Sequence, residues 1–330
     1  MINSGEVDAL AIYNPYMQSH RRFQGLFYLA KKRVETIVIE RGALPGTIYY
    51  SDDVAYGTDK YSEESFSNYK MSSEDEEIAK RYIDNLRLGG EVLESGASYA
   101  FTSRKYEALS HLDRKIVFLP LQMSEDMAVT MFLRDSQDYG EYERSINAVA
   151  ASNPEALFII KPHPLTKGET DFRGSNIIIA DREDNIHALI EISDATICYN
   201  SGVSLLAMAH YKQVVTVGNA YFNRGGAGQY ANSLSTAVAM VLHGTANAVS
   251  EENVVRLYSW LVNQMYSRFK AKDDIREFSH RKAHGYKDII VTHLNLNGMR
   301  INSSRARTDS NDIFETLGFS LMNFGKSQSK

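Results

Sequence analysis

The sequence predicts an α/β fold in which two halves, each built on a parallel sheet, face one cleft. Short apolar runs of strand length alternate with helical segments, which is typical of βαβ units. The 330 residues exceed one typical domain. Polar and charged residues also follow directly after several predicted strands. Because ligands bind beyond the carboxyl ends of the strands in open α/β sheets, we expect these residues to share the cleft.

The first half opens with one βαβ pattern. Strands are predicted over 9–13 and 36–39, with an amphipathic helix over 22–32 between them. The next stretch, 49–96, carries little strand signal and contains a helix over 74–88. Fewer strands precede residue 110 than such a domain normally has. We therefore expect the beginning of this first domain to be absent from the chain.

Glu40 stands at the carboxyl end of the second predicted strand. Gly42, Pro45 and Gly46 follow and turn the chain sharply. The Glu40 carboxylate should then face the cleft, although a surface glutamate is an equally good interpretation.

The second half begins with a strand predicted over 115–122, and a helix follows over 142–151. The residues Ser124-Glu125-Asp126 follow this strand, so another carboxylate leaves a strand end. The alternative is a helix cap or a turn, which accounts for most such aspartates.

The run Phe158-Ile159-Ile160 predicts a buried strand that leads into Lys161-Pro162-His163-Pro164. A residue before proline is pushed toward extended geometry, so Lys161 and His163 leave the strand in a stiff segment. A cationic pair fixed there suits a phosphate or a carboxylate. A proline-rich turn with a surface lysine and a packed histidine is the alternative.

A further strand over 195–199 runs into Asn200-Ser201-Gly202 and then a helix over 203–210. Backbone N–H groups at such a helix start bind anions, and these residue types allow close approach. An ordinary helix cap is the competing interpretation. A strand over 214–218 completes the βαβ pattern of this half.

These patterns divide the chain into three parts: a first domain over 1–112, a second domain over 113–250, and helices with a weakly ordered tail over 251–330. In the last part a helix is predicted over 254–269 and a short one over 313–317.

Composition excludes several classes of protein. A formal net charge of -5 argues against nucleic acid as a partner. The single cysteine, Cys198, excludes disulfide scaffolds and cysteine metal cages, and it fits a reducing compartment such as the cytoplasm. No apolar run reaches the length that spans a bilayer, so a soluble or peripheral protein is expected. The motifs of common ATPases, dehydrogenases, metalloproteases and hydrolases are missing.

Together these motifs resemble a known family of glycosyltransferases. The matching pieces span roughly residues 8 to 230: Glu40-Arg41-Gly42, Gln122 with Asp126, Lys161-Pro162-His163-Pro164, Ser193-Asp194-Ala195 and Asn200-Ser201-Gly202. The chain is similar to capsule polysaccharide biosynthesis enzymes that transfer Kdo, a keto-deoxy sugar acid, from CMP-Kdo. The resemblance implies two Rossmann-like domains of the GT-B type, the first on the acceptor side and the second binding the nucleotide-sugar donor. It also implies retention of anomeric configuration.

The resemblance also implies roles for the site residues. Asp126 would be the nucleophile, Glu40 the acid or base, and His163 with Lys161 would hold the phosphate or carboxylate of the donor. Gln122, Asn200, Ser201 and Gly202 would complete the donor site. No metal or cofactor is implied beyond the CMP-Kdo donor. The acceptor would be a surface glycan or glycolipid, reached by peripheral association with the inner membrane.

One position departs from the family pattern. Relatives often have a glutamate where this chain has Leu206, and that glutamate would grip a ribose. Two alternatives to the Kdo transferase therefore stay open. One is a GT-B transferase or epimerase that uses another activated sugar, and the other is a catalytically silent partner in capsule assembly.

Overall fold

A computed structural model describes residues 7–89, 96–133, 135–166, 171–246, 249–271, 276–278, 283–285 and 289–296. Its first part contains β1 (Ala9–Tyr13), α1 (Gln24–Lys31), β2 (Glu35–Arg41), β3 (Thr47–Ser51), α2 (Glu63–Asn68), α3 (Ser73–Gly89) and α4 (Tyr99–Tyr106). Short 3-10 helices cover Gln18–Phe23, Asp59–Tyr61 and Glu107–His111.

The middle part alternates strands and helices: β4 (Lys115–Pro120), α5 (Met127–Thr130), α6 (Tyr139–Ser152), β5 (Ala156–Lys161), β6 (Ile177–Ile179), α7 (Ile186–Ile192), β7 (Ala195–Cys198), α8 (Val203–Ala209), β8 (Gln213–Thr216), β9 (Gln229–Tyr230) and α9 (Leu234–Leu242). The last part holds α10 (Glu251–Ser259), a π-helix over Trp260–Met265, β10 (Ser267–Ala271), β11 (Arg276–Phe278), β12 (Ala283–Gly285) and β13 (Ile289–His293).

The second sheet is fully parallel and has the strand order β6-β5-β4-β7-β8-β9. Chain order reverses between β4 and β7, as in doubly wound nucleotide-binding folds. A crevice for ligands opens at the carboxyl ends of the strands at such a reversal. Gln122 and Asp126 follow β4, and Asn200 and Ser201 follow β7, so the topology places all four at this point.

The first sheet has the order β1-β2-β3-β10-β13, and it differs from the parallel sheet that we predicted. Only β1 and β2 pair in parallel, whereas the pairs of β2 with β3, β3 with β10, and β10 with β13 are antiparallel. The reason is the sharp turn after Glu40. Gly46, at a φ of 64°, lets the chain fold straight back as a hairpin.

The last two strands of this sheet come from residues after 250, where we predicted helices. The helix predicted over 254–269 ends at Met265, and Ser267 and Arg268 pair with Ile48 and Thr47 of β3. The predicted helix over 313–317 and the rest of the tail from residue 302 lie outside the described residues. The domain boundaries at 112 and 250 stay predictions.

Both faces of the parallel sheet are packed, which explains why its strands are nearly continuous apolar runs. Ile116 and Phe118 of β4 face one buried cluster, and Val117 and Leu119 face another, as the alternation of a strand requires. The first cluster also contains Leu44 from the turn between β2 and β3 and Tyr49 from β3, so one core joins the two halves. Within the described residues, no helix has the length and hydropathy needed to cross a bilayer.

Candidate active site

A cavity of about 210 Å³ lies between the two sheets. Glu40 at the end of β2, Asp126 after β4, His163 after β5 and Ser201 after β7 all line it. The wall is completed by Arg41, Ala43, Tyr49, Tyr56, Gln122, Met123, Met127, Ala128, Asn200, Gly202, Tyr221 and Phe222. Four strand ends from distant parts of the sequence therefore meet in one cavity, as the sequence led us to expect.

Glu40 is held by two side-chain donors. Asn14, directly after β1, donates from Nδ2 to Glu40 Oε1 at 2.5 Å. The Tyr49 hydroxyl donates to the other oxygen, Oε2, because Tyr49 lies opposite Glu40 in the β2–β3 hairpin. The same hydroxyl accepts a hydrogen bond from the backbone N–H of Ala55 at 2.8 Å, which fixes its orientation. The carboxylate is therefore positioned by three segments of the chain.

The environment of Glu40 brings the pKa of its carboxyl group close to neutral pH. Burial raises the pKa of Glu40 to about 7, whereas the hydrogen bonds from Tyr49 and Asn14 lower it. The negative charge of Asp126 raises it again. A carboxyl group with a pKa near the working pH is well suited to act as a general acid or base.

Removing the Tyr49 hydroxyl is expected to raise the pKa of Glu40 above about 7, because Tyr49→Phe deletes a hydrogen bond to the charged form. The measurement is an NMR titration of carbon-13-labelled glutamate side chains, with the Glu40 signal assigned by its loss in Glu40→Gln. Tyr50→Phe is the matched control, since neighbouring strand residues point to opposite faces. An unchanged Glu40 titration in Tyr49→Phe would show that this hydrogen bond does not set the pKa.

Asp126 faces the cavity from the other sheet. It is the N-cap of α5, and its Oδ1 accepts the backbone N–H of Ala128 at 3.0 Å. The capping role that we considered as an alternative is thus real, but it occupies one carboxylate oxygen only. No hydrogen bond within the described residues uses the other oxygen. One oxygen orients the side chain, and the second is left for chemistry.

Gln122 and Asn200 bind each other across the reversal point of the sheet. Gln122 Nε2 donates to Asn200 Oδ1 at 2.8 Å, and Asn200 N donates to Gln122 Oε1 at 3.0 Å. Asn200 Nδ2 also donates to the carbonyls of Ala128 and Asn219. These bonds hold the β4 and β7 ends together, so the Asn200 amide is already used within the protein. The role of Asn200 in the donor site stays a prediction.

Ser201 and Gly202 form the start of α8. The Ser201 hydroxyl accepts the backbone N–H of Val203 at 3.2 Å. A Cβ added to Gly202 would lie 3.2 Å from the Ala43 carbonyl oxygen, so a larger residue here would push the loop after β2 away by a few tenths of an ångström. This turn thus packs against the loop that presents Glu40.

Lys161 lies outside the first cavity. It is buried at the end of β5, lines an adjoining cavity of about 170 Å³, and donates from Nζ to the Arg182 carbonyl at 2.6 Å. The two cavities share Ala43, His163, Ser201 and Gly202, so they form one continuous cleft. Leu206, at the position of the expected glutamate, lines the second cavity as an apolar wall.

His163 connects the two cavities. Its Nδ1 accepts the backbone N–H of Leu165 at 3.2 Å, which assigns the proton of the neutral ring to Nε2. His163 therefore carries a donor at the boundary between the two spaces.

Several residues of the site were not found from the sequence. Asn14 and Tyr49 belong to segments that looked like ordinary loop and strand-poor sequence. Tyr56 donates from its hydroxyl to the Asn200 carbonyl at 3.1 Å across the cleft, and Arg41 adds a cation beside Glu40. The placement of Arg41 directly after a strand-end carboxylate was the one signal available.

The fold is similar to two solved structures from Thermosulfurimonas dismutans. KpsC, beta Kdo 2,7 transferase, matches with a TM-score of 0.55 and 15% identity, covering 98% of this chain and 87% of that chain. KpsC, beta Kdo 2,4 transferase, matches with a TM-score of 0.57 and 15% identity, covering 85% of each chain. At these identities the likeness concerns the fold, and it confirms the GT-B-like α/β class that we predicted.

Sequence comparison identifies the family. Protein FixF of Sinorhizobium fredii is 28% identical over 197 residues, which are 59% of this chain and 45% of FixF. The match therefore spans less than half the length of this curated relative. The family model described as capsule polysaccharide biosynthesis protein matches residues 56–237, more than half of the chain. This chain belongs to the capsule polysaccharide biosynthesis protein family.

Proposed function

We propose that this chain is a retaining glycosyltransferase that transfers Kdo from CMP-Kdo to a surface polysaccharide or glycolipid. One observation carries the proposal: Glu40 and Asp126, from two different sheets, line a single cavity at the carboxyl ends of their strands. The names of the two similar solved structures, both Kdo transferases, support the choice of sugar.

Two carboxylates give a retaining mechanism its two steps. In the first, an oxygen of Asp126 attacks the anomeric carbon of Kdo, the bond from that carbon to the phosphate oxygen breaks, and CMP leaves with the electron pair. In the second, Glu40 takes the proton of an acceptor hydroxyl, whose oxygen attacks the same carbon and releases Asp126. Two inversions at one carbon give net retention.

The other charged residues suit the anions of such a donor. Arg41 and His163 both line the cavity, and their side chains carry donors that would suit the Kdo carboxylate and the phosphate. The phosphate leaves as a stable anion, so departure of CMP requires no proton from Glu40. Following the resemblance, the proposal involves no metal ion and no cofactor besides the donor.

We place the nucleotide in the adjoining cavity, where Lys161 and Leu206 line the wall. Its apolar side chains, Pro162, Ile186, Val203 and Leu206, suit the face of a base, and His163 and Ser201 at its boundary would meet the phosphate. The cytoplasmic face of the inner membrane is the proposed place of action, because both the activated sugar and a lipid-linked acceptor are accessible there.

CMP is expected to raise the melting temperature of the purified chain more than UDP or ADP. Lys161→Ala and Ser201→Ala should each weaken CMP binding by about 1–3 kcal/mol, as expected when a hydrogen bond to a charged group is lost. Lys115→Ala is the matched control, because Lys115 is the first residue of β4, at the end of the strand opposite the cleft. Unchanged CMP affinity in both variants would place the nucleotide elsewhere.

The thermal measurement, together with an assay of CMP-Kdo turnover, separates the remaining alternatives. Leu206 removes a polar partner that a ribose would use in relatives, which favours a changed donor or a silent binding partner. Stronger stabilisation by UDP or ADP would identify another activated sugar. Binding of CMP without turnover of CMP-Kdo on any glycan acceptor would favour the silent partner.

A further inference from the structure

The helix that follows β1 exposes apolar side chains to solvent. In α1 and the preceding 3-10 helix Gln18–Phe23, only Phe27 and Ala30 are buried. Leu26, Tyr28 and Leu29 are 42%, 46% and 39% exposed, and Met17 at the start of the segment is 40% exposed. A single exposed leucine needs no explanation, but several on one short segment form a patch that indicates an interaction site.

The same segment is rich in positive charge. Residues 17–34 contain Arg21, Arg22, Lys31, Lys32 and Arg33 and no aspartate or glutamate, although acidic residues outnumber basic ones, 41 to 36, in the whole chain. Lys31 pairs with Asp53 at 2.5 Å and is thereby used inside the protein. Arg21, Arg22, Lys32 and Arg33 are exposed around the apolar side chains. We call this surface, Met17 to Arg33, the basic apolar patch.

The patch lies beside the cleft. The inner face of α1 places Phe27 in a small cluster with Tyr16 and Val38, against which Met127 and Phe132 pack. Met127 follows Asp126 directly and lines the first cavity. Three residues before the segment, Asn14 holds Glu40 and also donates to the Met127 sulfur at 3.4 Å. A surface bound to the outer face of α1 would therefore approach the cavity from the acceptor side.

We propose that the basic apolar patch binds the surface of an anionic phospholipid bilayer. Leucine and tyrosine enter the boundary between headgroups and acyl chains, and arginine and lysine around them attract anionic lipid headgroups. An acidic glycan would pair with the cations but would leave Leu26 and Leu29 in water. A second copy of the chain would bring the same cations face to face, which repels.

This inference deepens the proposed function, because it names the surface that would bring a lipid-linked acceptor to the cavity. The basic apolar patch would bind the lipid surface whether or not the donor sugar is present. Binding can therefore be measured independently of sugar transfer, and failure of one proposal is distinguishable from failure of the other.

The test is co-sedimentation of the full chain with vesicles of phosphatidylcholine alone or mixed with a third of phosphatidylglycerol. We expect binding to the mixed vesicles that weakens as salt is raised, and little binding to phosphatidylcholine alone. The double variants Leu26→Ser with Leu29→Ser, and Arg22→Glu with Lys32→Glu, should each reduce partitioning by at least about tenfold. An unchanged melting temperature of each variant without ligand checks that the fold is intact.

Matched controls lie on α3, whose Leu88 is 86% exposed and whose Arg81 is exposed on the helix surface. Leu88→Ser with Arg81→Glu should leave vesicle binding unchanged. Absence of binding to the mixed vesicles at low salt would overturn the proposal, as would equal losses in the patch and control variants. If sedimentation velocity instead showed a dimer that the leucine variants dissociate, with vesicle binding unaffected, the patch would be a protein interface and the proposal would be wrong.

Discussion

Replacing Asp126 with asparagine is expected to reduce Kdo transfer by at least about a thousandfold while the chain still folds and binds CMP. A neutral amide cannot form the ester with the anomeric carbon that the first step requires. Asparagine retains an oxygen that can accept the Ala128 N–H, so the cap of α5 survives. Alanine should abolish transfer equally, but it would also cost about 1 kcal/mol of stability through loss of the cap. Steady-state transfer from CMP-Kdo to a glycan acceptor measures the effect.

Glu125→Gln provides the control for Asp126. Glu125 is the exposed neighbour of Asp126 and lies outside the residues that line the cavity. Transfer by this variant should remain near that of the unmodified chain. Substantial transfer by Asp126→Ala would remove Asp126 as nucleophile, and departure and attack on one face of the sugar would then be favoured.

Replacing Glu40 with glutamine is expected to slow turnover strongly and to change how stability depends on pH. The pKa of Glu40 is about 7 in the folded chain against the ordinary value of 4.5, a difference that corresponds to about 3 kcal/mol. Between these pH values the folded chain binds more protons than the unfolded chain. The free energy of unfolding therefore falls as pH rises through this window. Glu40→Gln removes this fall of about 3 kcal/mol.

Urea denaturation at pH 4.5, 6 and 8 measures this difference between Glu40→Gln and the unmodified chain. Glu35→Gln is the matched control, since Glu35 is exposed at the opposite end of β2. In the pH profile of transfer, the unmodified chain should gain activity as pH rises through about 7, where Glu40 loses its proton and becomes a base. Parallel stability curves for Glu40→Gln and Glu35→Gln would contradict the raised pKa.

The parallel sheet and the ends of its strands were predictable from the sequence. Continuous apolar runs such as Phe158-Ile159-Ile160 indicate strands buried on both faces, and polar residues after them mark the edge where a cleft opens. Glu40, Asp126, His163 and Ser201 were identified from their positions after predicted strands, from the helix start at Ser201 and from the family resemblance, without knowledge of how the strands pair. Their placement in one cavity follows from the fact that all four sit at carboxyl ends of strands.

The missed features depend on contacts between distant segments. Strand β3 escaped prediction because Ile48, Tyr49 and Tyr50 are followed by serine and aspartate residues that resemble a loop. Strand β10 begins at Ser267, with a single residue between it and the π-helix that ends at Met265. Because the gap is so short, apolar periodicity alone predicted one helix through both elements. Asn14 and Tyr49 hydrogen-bond to Glu40 only because of the register of β2 with β3 and the conformation of the loop after β1. Neither feature is encoded by the local sequence.

The most direct test of the mechanism is intact-protein mass spectrometry of Glu40→Gln after mixing with CMP-Kdo. Without the base, the second step is slow and the sugar ester on Asp126 should accumulate. We predict an added mass of one Kdo residue that peptide mapping assigns to Asp126, and no such adduct in the double variant with Asp126→Asn. An adduct on a different residue, or complete absence of an adduct while CMP is released and the product retains its anomeric configuration, would contradict a covalent intermediate on Asp126.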